Sequence, residues 1–172
     1  YIYIDIMFHQ NLFQDKDMIN DVVKVGTMLT VSRLLSGRNL NEAWMTASAY
    51  TVLGFAAYHA FTKHAFAEQM SGNQMLKTWL YHGTALLVAR VLSGGDLSES
   101  WMTSTVYTLV GFSAYDLFVK SAVSTAVIAN NDLRIVADTA LNVGTMLVVS
   151  RLLEGGSLDE QWMTSGVHTV LG

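Results

Sequence analysis

The chain repeats itself three times. Gly26, Arg33, Trp44 and Gly54 recur as Gly83, Arg90, Trp101 and Gly111, and again as Gly144, Arg151, Trp162 and Gly172. Fourteen of the 29 positions from Gly26 to Gly54 are identical in all three copies. Self-similarity at a near-fixed period means one supersecondary unit used several times, with units stacking rather than forming a single globule. It also sets how function is sought. A residue kept in every copy serves the unit, whereas a residue present once is a site candidate only if it has partners. The third copy stops at Gly172, before the Phe-x-Ala-Tyr that comes after Gly54 and Gly111. That stop and the start at Tyr1 read as an excerpt of a longer protein. Residues 1–17 read as the tail of an earlier unit.

Each unit contains a helix stop followed at once by a helix start. Gly37, Gly94 and Gly155 sit where a left-handed C-terminal cap is needed. Asn39, Asp96 and Ser157 come next, each with a Glu three positions on, the spacing of a capping box. The pattern predicts helix A over about 18–36, 75–93 and 133–154. Helix B starts at Leu40, Leu97 and Leu158, and continues unbroken to about Gln69 in the first copy and Ala129 in the second. A loop of two or three residues makes each pair antiparallel neighbours. The expected fold is all-α: three antiparallel hairpins, 18–73, 74–131 and 132–172, the last truncated. The chain holds no Pro, which suits long helices, and no Cys, which excludes disulfides and thiolate metal sites.

Charged residues are 14% of the chain, hydrophobic residues 51%, and mean hydropathy is +0.32. A soluble domain averages about 25% charged. Ala43 to Tyr58 and Ser100 to Tyr115 carry no acid, base or His. Small residues line helix B at helical spacing (Ala47, Thr51, Gly54; Ser104, Thr108, Gly111), a face that lets helices associate in lipid. Trp44 and Tyr58, like Trp101 and Tyr115, bracket the stretch as interfacial anchors do. These features favour transmembrane helices over a soluble helical solenoid that binds another protein. The excess of Lys and Arg away from the A–B turns puts the B–A connectors on the cytoplasmic side.

Arg33, Arg90 and Arg151 sit in the last turns of helix A, where the helix dipole favours a cation. Each is expected to reach Glu42, Glu99 or Glu160 across the turn as a structural clasp. Gly26, Gly54, Gly83, Gly111 and Gly144, with Trp44, Trp101 and Trp162, are expected to pack helices. The five His (His9, His59, His64, His82, His168) do not recur, and no metal site is expected from them. Neither a catalytic constellation nor a phosphate loop nor a cofactor motif stands out. The net charge of −4 and the lack of a basic patch argue against nucleic acid.

The elements Gly-Thr-Met-Leu, Ser-Arg-Leu-Leu, Trp-Met-Thr after the capping Glu, and Tyr-Thr-x-x-Gly-Phe resemble small multi-pass membrane proteins of large double-stranded DNA viruses, including those infecting algae. The resemblance implies a virion protein linking the inner membrane to minor capsid proteins: structural rather than enzymatic, laterally oligomeric, with membrane lipid and capsid proteins as partners. It carries no catalytic or cofactor residues. A channel or transporter along the helix-B small faces is the remaining alternative.

Overall fold

The computed structural model describes residues 15–125 and 131–172. Within them, six long helices form three hairpins. The first is α1 (Lys16–Leu35) and α2 (Glu42–Ala57). Beyond α2 lie a π-helical turn, Tyr58–Thr62, and two short helices, α3 (Lys63–Ala65) and α4 (Ala67–Met70). The second hairpin is α5 (Gln74–Leu92) and α6 (Glu99–Ala114), continued by a π turn, Tyr115–Val119, and α7 (Lys120–Thr125). The third is α8 (Asn131–Leu153) and α9 (Glu160–Leu171). The expected all-α hairpins are present. The proposed tail of an earlier unit lies almost wholly outside the described residues, as do His9 and the end of the second helix B near Ala129.

The A–B turns are built from local chemistry. Gly37, Gly94 and Gly155 take φ of 67°, 70° and 73°. In the first turn Gly37 N–H donates to Leu34 O (2.9 Å) and Arg38 N–H to Arg33 O (3.3 Å), the paired bonds of a Schellman cap. The other two turns repeat both bonds. Helix B then starts two residues later than the sequence predicts. Its N-caps are Asn41, Ser98 and Asp159, whose side chains accept from the N–H of Trp44 (2.9 Å), Trp101 (3.4 Å) and Trp162 (2.8 Å). Asn39 and Asn41 are both competent caps. The difference is that the carbonyl of the earlier residue is taken by the repeated arginine. Glu42, Glu99 and Glu160 become first-turn residues, where the dipole favours an acid.

Helix B is not continuous either. In both complete copies it widens at the same place into a π turn, with Lys63 N–H bonded back to Tyr58 O and Lys120 N–H to Tyr115 O. A further break falls at Phe66 (φ −116°, ψ 20°). One extra residue in the turn re-aims the helix beyond it. Tyr58 and Tyr115 are thereby buried, 3% and 1% exposed.

The units close on one another rather than stacking in a row. Packing is most extensive between helix B of one unit and helix A of the next: α2 on α5 and α6 on α8. Helix α9 packs on α1 and completes a ring. The reason is the glycine that closes each copy's repeat. A Cβ on Gly54 would meet the backbone of Ala85, with its Cα at 2.8 Å. One on Gly111 would lie 2.8 Å from Met146 Cα, and one on Gly172 would lie 3.1 Å from the Met28 carbonyl carbon. Met28, Ala85 and Met146 occupy the same place in the three copies, so one close approach is used three times. Ser36 Oγ lies 3.3 Å from His168 Nδ1 across the closing seam.

Candidate functional site

The repeated arginines act inside the turn. Nε of Arg33, Arg90 and Arg151 donates to the carbonyls of Asn39 (3.1 Å), Asp96 (2.9 Å) and Ser157 (3.1 Å). Arg90 adds an ion pair with Asp96 at 2.9 Å. Arg33 and Arg90 also lie over the rings of Trp44 and Trp101, 5.8 Å from each centroid. Among the described residues no ion pair joins these arginines to Glu42, Glu99 or Glu160. The expected clasp is therefore corrected: it closes on loop backbone and indole, not on the glutamates. A guanidinium donates at fixed angles, and a loop carbonyl six residues on meets it without ordering a second long side chain.

The glycines divide. Gly54 and Gly111 mark close helix approach, as expected. Gly26 has nothing within 4 Å of a built Cβ, and Gly83 and Gly144 meet only a methyl at 3.8 Å. These three do not bring helices together, and no contact in the structure explains their recurrence. The tryptophans are half-buried at the start of helix B, and Trp44 and Trp101 lie under their arginines.

At the opposite end of the ring the copies stop being alike, and side chains with chemistry collect there. In the first hairpin His59, 6% exposed, holds Asp21 Oδ2 at 2.8 Å through Nε2. Its Nδ1 faces Asp15 Oδ2 at 3.6 Å, and Lys63 lies 3.6 Å from Asp15 and 3.7 Å from Asp17. In the second hairpin Asp116 takes the place of His59 and Thr78 that of Asp21. Thr78 Oγ1 donates to Asp116 Oδ2 at 2.6 Å. The same A–B cross-link is thus made twice with the partners' roles reversed, at the π turn in both cases. Nearby, Tyr115 donates to Asp138 of the third unit, and Thr62 bonds Thr84 at 2.9 Å. His82 stacks on Phe112 with centroids 3.5 Å apart.

The polar positions on helix A fall on a common register. Asp21, Thr78 and Thr139 are equivalent, and so are Lys24, Tyr81 and Asn142. Lys24 Nζ reaches Thr139 Oγ1 at 3.5 Å, joining units one and three. A chamber of about 250 Å³ lies here, walled by all three units, with Asp21, Tyr81, Asp116 and Asn142 among its lining. A second cavity of about 330 Å³ shares the Asp21–Tyr81 wall and is lined by His59. His59 Nδ1 and Asn142 Oδ1 are buried with no hydrogen-bond partner.

Asp15 caps α1 by accepting from Met18 N–H (3.3 Å) and Asp17 N–H (3.0 Å). Its partial burial acts to raise its pKa. Those two backbone donors and the neighbouring Lys63 and His59 outweigh that and hold it below the usual carboxylate value.

Sequence reasoning weighed these histidines only as metal ligands and missed the His59–Asp21 and Thr78–Asp116 links. The signal was available as a paired exchange between copies: Asp becomes Thr on helix A where His becomes Asp on helix B. Comparison with protein-family models, curated protein sequences and solved structures returns no match.

Proposed function

We propose that the protein is a structural membrane component: a ring of three helical hairpins whose outer surface faces lipid and neighbouring proteins. The observation that carries this is a repeated exposed apolar surface. The buried apolar side chains among the described residues are Met18, Val25, Tyr58, Ala85, Leu109 and Tyr115, and exposed large ones far outnumber them. The exposed set recurs copy by copy. Leu34, Val91 and Leu152 are 55%, 56% and 55% exposed, and Met45, Met102 and Met163 are 51%, 49% and 49% exposed. Apolar residues retained three times at equal exposure are not core, and a surface of that extent marks an interaction with lipid or protein.

Two further features support lipid. The hydroxyls of Thr51, Thr108 and Thr169 each bond the carbonyl four residues back at 3.1 Å, so helix B satisfies them without water. The 16-residue α2 rises about 24 Å, most of the thickness of a bilayer core. Among the described residues α8 alone is long and apolar enough to cross a membrane by length and composition. Helices α1 and α5 carry charges: Arg33 and Arg90 at the turns, Lys16, Asp17, Asp21 and Lys77 toward the polar end, and Lys24 mid-helix, where it bonds Thr139 of the third unit.

The resemblance of the repeated motifs gives the reading its specific form, a virion protein that packs laterally in an inner membrane and contacts capsid proteins. The test is extraction of native membranes with alkaline carbonate and high salt. Retention in the pellet is expected. Release into the soluble fraction would defeat the membrane reading and leave the apolar surface to a protein partner, as in a peripheral helical scaffold.

A further inference from the structure

We infer that the polar end of the ring is a water-filled vestibule, open beside Lys77 and Lys120 and reaching inward to Asn142 between the three units. The inference rests on the membrane reading, because only in a bilayer is a hydrated interior set apart from a dry exterior.

Three observations converge on it. Each of the three units contributes polar residues to the chamber wall: Asp21 from the first, Thr78, Tyr81 and Asp116 from the second, Asn142 from the third. Lys77 and Lys120 are exposed, so the chamber opens past them. Second, two buried polar atoms lack a partner. His59, which lines the adjoining cavity with Asp21 and Tyr81, is more than nine-tenths buried, and its Nδ1 stands 3.6 Å from Asp15 Oδ2, beyond a hydrogen bond. Asn142, whose Oδ1 is buried without a partner, lines the chamber itself. Buried polar groups of this kind are met by ordered water where the site is polar and roomy enough. Third, the volume suffices: about 250 Å³ holds several waters at about 30 Å³ each. The polar identities also sit at one register in all three copies, although the residues themselves differ, so polarity at that depth is what the ring retains.

The chain has no cysteine, so single cysteines report cleanly. The full chain is reconstituted in phosphatidylcholine vesicles and treated with a charged, membrane-impermeant methanethiosulfonate. The sites are Asn142→Cys and Thr78→Cys in the chamber, Leu53→Cys on the apolar surface (51% exposed) and Ser71→Cys in the exposed connector. Each variant must retain the helical circular dichroism of the parent. Asn142→Cys and Thr78→Cys should react from one side of the vesicle at least tenfold faster than Leu53→Cys. Rates no faster than Leu53→Cys, with Ser71→Cys reactive, would overturn the vestibule and leave the membrane reading intact. Leu53→Cys reacting as fast as Ser71→Cys would overturn the membrane reading and the vestibule with it.

Discussion

At the scale of the residue, the arginine in each turn is a local staple. Arg90 directs its donors to Asp96 and places its guanidinium over the Trp101 ring. Arg90→Ala should cost about 1–2 kcal/mol by losing a charge-assisted bond to a loop carbonyl, read as a lowered unfolding midpoint in detergent. Arg90→Lys should recover little of this, because an ammonium lacks the planar fork and stacks poorly. Full recovery by Lys would show that charge alone matters. Asp159 offers a pH test. Its bond from Trp162 N–H is the main cause, with Ser157 adding, of a pKa held below the usual carboxylate value. A depressed pKa contributes stability that is present above the unfolded value and lost as pH falls through the folded one. The gap in stability between wild type and Asp159→Asn should therefore change below about pH 4. Asn caps the same position in the first copy, so neutral-pH stability should barely move. Parallel acid titrations of the two proteins would remove the role given to Asp159.

At the scale of the element, two repeated glycines show how the setting decides what a missing side chain does. Gly54 lies against the backbone of Ala85, so Gly54→Ala must part α2 from α5 and should cost about 1–3 kcal/mol. Gly83→Ala adds a methyl that meets only Leu109 Cδ1 at 3.8 Å, and removing a helix-interior glycine should stabilise by up to about 1 kcal/mol. Opposite signs in denaturant unfolding are expected; equal destabilisation would mean that α5 and α6 also pack at Gly83. The helix ends show why part of the element pattern was readable. Gly37, Gly94 and Gly155 act through their own backbone, and the caps act over three residues, so the turns were legible as turns. The cap moved from Asn39 to Asn41 because Arg33 takes the Asn39 carbonyl, a competition that spacing alone does not reveal. The π turns left no periodic mark, since one inserted residue shifts the phase only where the partners of Tyr58 and Tyr115 lie.

At the scale of the molecule, closure of the ring is the event that gives the chain an inside. It depends on α9 meeting α1 through Gly172 and Met28 and on the Ser36–His168 contact. A double variant, Ser36→Cys with His168→Cys, should form an intrachain disulfide under mild oxidation and migrate faster as a monomer in non-reducing gels. Disulfide-linked dimers alone would show that the seam is not closed within one chain.

The amino-acid sequence by itself determined the repeat, the all-α class, the hairpin turns and the apolar character of helix B, because each rests on composition or on contacts within a few residues. It also marked Gly54 and Gly111 as places of close approach. The tertiary structure alone decided which helix each glycine approaches, that the third unit returns to the first, and that Asp21, Thr78, Tyr81 and Asn142 share one chamber. Those outcomes depend on surfaces meeting across tens of residues to more than a hundred, and the linear pattern carries no term for which surface a helix will choose.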